Sequence, residues 1–138
     1  MQGQALKGDL CVFGEVLFDE FPDGRRVLGG APFNVAWHLA AFGEGPLLIS
    51  RVGDDADGAA VRDAMRGQDM NTSGLQTDPD LPTGRVRVLF EDGEPGYDIV
   101  HPAAWDAIAA GPGVPACGLL YHGSLALRDE TSRNTLQR

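Results

Sequence analysis

Basic residues are scarce in this chain. Eleven Lys and Arg oppose 20 Asp and Glu, for a net charge of −9. Nucleic-acid backbones are held by a Lys/Arg surface, so this balance argues against a nucleic-acid partner. It leaves room for a small anion, which backbone N–H groups can hold on an acidic protein. Cysteine is nearly absent, with only Cys11 and Cys117, in or beside apolar runs. The opening MQGQALKGDLCVFGEV has no basic segment leading into an apolar one, so it does not read as a secretory signal. Two isolated cysteines without such a signal read as buried free thiols, and the expected compartment is the cytoplasm. No apolar run approaches the ~18 residues a membrane span needs. A P-loop and a GxGxxG are both missing. His38, His101 and His122 are far apart, with no Cys or acid at ligand spacing, so no metal site is expected on them. GDDADG (53–58) lacks the spacing of a calcium loop and reads as a turn with a helix cap. HGSLA is not GxSxG, which removes Ser124 as a hydrolase nucleophile.

What is present suits one globular domain with a real core: 138 residues, 43% hydrophobic and 22% charged. Nineteen Gly and nine Pro favour many turns. Residues 9–14 read as a buried strand and 15–21 as its extension or turn. PDGRRVLGG (22–30) gives a Pro-Asp-Gly turn and a short strand. Residues 34–43 read as a helix capped by Asn34, with Val35, Leu39 and Phe42 on one face and Gly43 just past its end. PLLISRVG (46–53) reads as a second buried strand. Residues 57–70 form an amphipathic helix, capped by Asp57, with Val61, Ala64 and Met65 inward. In 83–101 apolar and polar residues alternate around Asp92-Gly93, the pattern of a hairpin with one wet face that carries Arg85 and Arg87. Trp37 and Trp105 read as packing residues. ACGLLYHGSLAL (116–127) reads as a third buried strand, and 128–138 as the start of a helix. Strands alternating with helices imply a parallel α/β sheet, and the alternating segments a small β flap beside it. A sheet of so few strands leaves an open edge, so the chain reads as the front part of something larger.

LGGAPFNVAWHLAAFG (28–43) carries the most chemistry. Two glycines let backbone come within contact distance of a ligand. A helix that begins just after them offers free N–H groups. Asn34 can donate and accept, which suits a vicinal diol. Asp19, upstream after an apolar strand, could accept from two hydroxyls. The combination suits a neutral polyhydroxyl ligand, although Gly-Gly alone is often a turn and Asn alone a cap.

Gly29, Gly30, Pro32, Asn34, Ala36, Gly43 and Gly53 resemble, at matching spacings, the first signature of the ribokinase-like (PfkB-type) sugar kinases. GEVLFDEF resembles the strand end that opens that family, with Asp19 at its sugar-binding aspartate. RVGDDADG, PTGRVRV and HPAAWDAI are similar to its next turn, its lid strand and a segment after the lid in bacterial fructokinases. The resemblance runs from about residue 9 to 138. It implies a doubly wound, mostly parallel α/β sheet with a small β lid. Residues 1–138 would be the N-terminal portion of one sugar-kinase domain, with lid strands around 15–30 and 83–101. The implied activity is transfer of the ATP γ-phosphoryl group to a sugar hydroxymethyl, with ATP and Mg2+ as cofactors and fructose as the sugar. By the same resemblance Asp19, Gly30 and Asn34 would hold sugar hydroxyls, Gly29 would form the turn, and Tyr97 and Ile99 would cover the ring. Ser124 falls where ribokinases carry an acid and fructokinases a small residue, which favours a hexose. Apart from the resemblance, an exposed lid edge would invite strand pairing, so a homodimer through the lid is expected. The family's catalytic Asp, in a GAGD-type motif, and its ATP segment do not occur here. GPGVPACG (111–118) lacks the Asp and precedes a strand. The chain alone is therefore expected to bind sugar without catalysing transfer. The alternatives are a non-catalytic sugar-binding or scaffolding module, and a nucleoside or aminosugar kinase of the same family.

Overall fold

Short apolar runs between turn residues build the frame. The computed structural model describes residues 10–110 and 117–137. In chain order its elements are β1 (Leu10–Phe13), β2 (Leu17–Glu20), β3 (Arg26–Gly29), α1 (Ala31–Ala41), β4 (Leu47–Gly53), α2 (Ala56–Gly67), β5 (Leu75–Asp78), β6 (Gly84–Glu91), β7 (Glu94–Ile99), β8 (Leu119–His122) and α3 (Glu130–Leu136). Single 3-10 turns lie at Ala104–Ala107 and Leu125–Leu127. One sheet has the order β5–β4–β1–β8, with every pair parallel. Val12 lies opposite Leu48 and Phe13 opposite Ile49. Neighbouring residues on a strand point to opposite faces. Val12, Leu48 and Val52 therefore pack against Phe33, Ala36, Val61 and Met65 of α1 and α2. Phe13 and Ile49 pack on the other face with Trp105, Ile108 and Ala126. Helical elements cover both faces, which is why β1 and β4 are apolar along most of their length.

Both helix starts differ from the sequence reading. The cap of α1 is Gly30, with φ +103, and Asn34 lies inside the first turn with its N–H 2.9 Å from the Gly30 carbonyl. Pro32 lacks an N–H and fits only a first turn, so the helix begins earlier than an Asn cap implies. Phe42 is 80% exposed rather than on the inner face. Gly43 takes φ +83, and the N–H groups of Gly43 and Glu44 reach the Ala40 and Leu39 carbonyls, both at 3.0 Å. This double bond pattern closes the helix and leaves Phe42 outside the core.

In α2 the cap is Asp55, not Asp57. Its Oδ1 accepts from Gly58 N–H at 2.8 Å and from Thr83 Oγ1 at 2.6 Å, and its Oδ2 from Thr83 N–H at 3.0 Å. Asp57, two residues further on, instead accepts both guanidinium nitrogens of Arg26 on β3, at 2.9 and 2.6 Å. Burial raises the Asp55 pKa, but the Thr83 and Gly58 hydrogen bonds outweigh it and hold the carboxyl below its usual value. A carboxyl lowered by folding adds stability above its unfolded pKa and loses it as pH falls through the folded one. Asp55→Ala should therefore cost about 2 kcal/mol at pH 7. Urea melts should show the gap between parent and variant closing under strong acid.

Two further expectations are corrected at the β8 edge of the sheet. Cys11 and Cys117 form a disulfide, with Cα atoms 5.9 Å apart, rather than two free thiols. The parallel pairing of β1 with β8 sets Cys11 opposite Leu120 and brings Cys117, three residues earlier, to the same edge. β8 is not a buried strand: Leu119, Leu120 and Tyr121 are 65%, 39% and 40% exposed. It is the outer strand of its sheet, and its apolar residues lack a covering layer among the described residues. β5, a strand the sequence reading does not include, supplies the other edge. Of GPGVPACG, only Cys117 and Gly118 fall within the described residues.

Candidate functional site

The second sheet has the order β3–β2–β6–β7, with β2 antiparallel to β3 and parallel to β6. β6 and β7 form a hairpin through Asp92 and Gly93, both with positive φ (53 and 80), the backbone that a two-residue turn of matching twist demands. Register sorts the side chains. Asp19 pairs with Val27 on one side and Val86 on the other, and Val86 pairs with Ile99. These residues share one face. The next row, Arg26, Glu20, Arg87 and Asp98, lies on the opposite face. There Arg26 and Arg85 approach Glu20 at 3.1 and 3.8 Å, and Arg87 approaches Asp98 at 3.5 Å. Arg85 and Arg87 thus belong to a charged ladder turned away from Asp19.

The Asp19 face closes over the start of α1 and leaves a cleft of about 340 Å3. Its lining is Glu15, Leu17, Asp19, Gly30, Ala31, Asn34, Val86, Tyr97 and Ile99. The structure so brings together Asp19, Gly30, Asn34, Tyr97 and Ile99. Gly29 ends β3 between the two polar groups: a Cβ there would sit 3.4 Å from Asp19 Oδ2 and 3.8 Å from Asn34 Nδ2. Gly30 answers a different need, since its Cβ would lie 2.7 Å from the Glu15 carbonyl oxygen. The two bare residues therefore let one chain segment cross another while keeping the space between Asp19 and Asn34 open. Ser124 stands apart. It is exposed, just before the 3-10 turn at Leu125–Leu127, and does not line this cleft.

Glu15, Leu17, Ala31 and Val86 join the lining without having been singled out from the sequence. Glu15 matters most. It is 5% exposed, and its Oε1 is buried without a hydrogen-bond partner. Burial pushes its pKa up, against the backbone N–H groups of Glu15 and Ala31 and the charge of Arg128. Burial also raises the Asp19 pKa. The one available signal was an acid directly after an apolar strand. Two carboxyls withdrawn from water favour a ligand that donates hydrogen bonds.

Anions fit poorly here. The N-terminus of α1 faces the Glu15 carboxyl through the Ala31 N–H. α2 begins with Asp55 and Asp57, and α3 with Asp129 and Glu130. α2 and α3 carry acid in their first turns, and in α1 the Ala31 N–H is engaged by Glu15 while Pro32 has none, so no described helix start offers the open donor set that holds a phosphate. Cations fare no better at the one cluster of possible ligands among the described residues, His101, Asp106 and Asp129. His101 Nε2 lies 2.8 Å from Asp129 Oδ2, an acid partner that sequence spacing did not reveal. Both Asp106 oxygens, however, are taken by Arg128 at 2.7 Å.

Known structures share this architecture. A fructokinase from Halothermothrix orenii aligns with a TM-score of 0.81 at 26% identity, over 92% of this chain and 50% of that one. A sugar kinase from Pyrococcus horikoshii, solved in complex with ATP, aligns with a TM-score of 0.76 at 25% identity, over 92% and 47%. The fold is thus the ribokinase-like α/β class. Residues 9–104 match the pfkB family carbohydrate kinase, and the chain belongs to that family. A fructokinase of Klebsiella pneumoniae is 33% identical over 94% of the chain and 45% of its own length. The chain spans about half the length of the curated relatives it matches. No helix among the described residues is long and apolar enough to cross a membrane.

Proposed function

We propose that this chain is the sugar-binding portion of an ATP-dependent carbohydrate kinase, with fructose as the sugar. The observation that carries the proposal is the cleft itself. It sets Asp19 and Asn34 on either side of bare Gly29 backbone, under the apolar edges of Val86 and Ile99. Asp19 and Asn34 would take the hydroxyls of a polyol, and Gly30 would admit it close to the main chain. Tyr97 and Ile99, on a hairpin that acts as a lid, would cover the ring. Such burial orients a hydroxymethyl group and keeps water from competing for the phosphoryl group. Family membership and relatives that carry the name fructokinase support the choice of sugar. ATP with Mg2+ would supply the phosphoryl group. The acidic helix starts do not suit its phosphates, so no phosphate-holding role is assigned to these residues and no transfer step is derived through them.

The lid would also be a pairing surface for a second copy, since Val27, Leu89, Phe90 and Tyr97 leave apolar area exposed on this sheet. The reading places the protein in the cytoplasm. A second reading is a non-catalytic sugar-binding module, which keeps the Asp19 and Asn34 cleft without phosphoryl transfer. Titration calorimetry with fructose, ribose, a nucleoside, an aminosugar and ATP tests both. Fructose binding preferred over the others supports the proposal. Turnover of ATP by the chain alone would remove the module reading. Asn34→Ala should weaken fructose binding about tenfold, through one lost polar contact. Equal affinity in variant and parent would sink the site assignment.

A further inference from the structure

The lining of the cleft holds a second acid that the polyol reading leaves without a task. Glu15 follows β1 after Gly14, and its backbone carbonyl passes 2.7 Å from where a Cβ of Gly30 would lie. The residue is therefore wedged under the same turn that brings Asn34 to the cleft. It is 5% exposed, yet it lines the cleft with Asp19 and Asn34. The Ala31 N–H supports its carboxyl, and Ala31 lines the cleft as well. Oε1 has no partner in the protein. A buried acceptor left unmade costs on the order of 1–3 kcal/mol, more for a charged group. Proteins keep such atoms where something else satisfies them. Arg128, whose charge acts on Glu15, does not fill that role, because its guanidinium is committed to Asp106 at 2.7 Å and to the Val100 carbonyl at 3.0 Å.

We propose that Glu15 is a specificity-determining residue of the cleft, its free Oε1 accepting a hydrogen bond from one ligand hydroxyl that Asp19 and Asn34 do not read. The inference rests on the sugar reading above. It makes the cleft a three-point reader of a polyol, with Glu15 and Asp19 accepting and Asn34 able to do either. A site built to receive a hydroxyl rejects the analogue lacking it far more strongly than an apolar pocket rejects an added one. The ligand class this favours is the fully hydroxylated sugar over its deoxy counterpart.

The test uses the 138-residue chain and a set of monodeoxyfructoses, each lacking one hydroxyl, with affinities read by calorimetry. In the parent, one of them should bind at least about tenfold more weakly than fructose because of Glu15. In Glu15→Met, which keeps the length and loses the acceptor, that particular penalty should fall to within about twofold. Glu15→Gln, which keeps an acceptor oxygen, should restore part of it. A merely structural Glu15 would lower all affinities together and leave the pattern among the analogues unchanged, and that result overturns the proposal. Should neither variant fold, the Glu15 carboxyl carbon in the labelled parent is followed by NMR during a fructose titration. A shift there supports the contact, and a fixed signal while the Asp19 carboxyl moves overturns it. A parent that binds no sugar at all would refute the sugar reading, and this inference with it.

Discussion

Gly30→Ala should destabilise the chain by about 3 kcal/mol or more, measured by urea unfolding. Two penalties combine. At φ +103 an L-residue is strained, by about 1–2 kcal/mol. The new methyl would also lie 2.7 Å from the Glu15 carbonyl oxygen, a backbone atom that moves only if the strand link moves, which adds about 1–3 kcal/mol. Gly29→Ala is the informative control. Its methyl would meet Asp19 Oδ2 at 3.4 Å, an ordinary contact, and its backbone lies outside the left-handed region. It should leave stability within about 1 kcal/mol of the parent while placing a methyl between Asp19 and Asn34. A stable Gly29→Ala protein with lost fructose binding would separate the two glycines into one folding role and one binding role. Equal stability of parent and Gly30→Ala would show that the crossing of the two segments is not the reason for the second glycine.

Arg128→Ala should cost about 3–5 kcal/mol, because it strands a buried acid. Asp106 is 3% exposed, and both its oxygens receive Arg128 nitrogens at 2.7 Å. Without the guanidinium, only the Ala103 N–H at 2.8 Å remains to it. The same guanidinium stands 4.1 Å over the fully buried Trp105 ring, so truncation also uncovers the largest side chain of the second core. The pair with Asp106→Asn identifies the cause. If the stranded charge dominates, the double variant should be less destabilised than the sum of the single ones by more than about 1 kcal/mol. Thermal unfolding of the four proteins gives that cycle. Strict additivity would assign the loss to the stacking on Trp105 instead.

Local chemistry was the readable part of this chain. Gly29, Gly30, Asn34 and Asp19 could be gathered because turn glycines, a short amide and an acid after a strand each state a local need. The Asp92-Gly93 hairpin was legible for the same reason. Long-range properties were not. LLYH reads as a strand, but whether a strand lies inside a sheet or at its edge depends on neighbours far away in sequence. Cys11 and Cys117 are separated by 106 residues, and only the pairing of β1 with β8 brings them together. Asp55 and Asp57 are equally good caps on paper. The choice fell to Asp55 because Thr83 meets its carboxylate, while Arg26 draws Asp57 toward the second sheet. β5 was missed because LQTD has no apolar alternation and only Leu75 and Asp78 are buried. Glu15 was not singled out, because only its burial in the fold reveals an oxygen with no partner.

The crossing of the Gly14–Val16 link beneath Gly30–Pro32 has a consequence for how this protein tolerates change. A Cβ on Gly14 would collide with Pro32, and one on Gly30 with the Glu15 carbonyl, so four positions in two segments are sterically linked. Two of them, Glu15 and Gly30, line the cleft, and Gly14 and Pro32 stand within two residues of them in sequence. A library randomised here and selected for ligand affinity would therefore be selected for foldability in the same step. Beneficial changes in one segment should appear only alongside matched changes in the other. On β7, where Tyr97 is 65% exposed and free of such contacts, substitutions should be sampled one at a time, and new ligand preferences should arise there first.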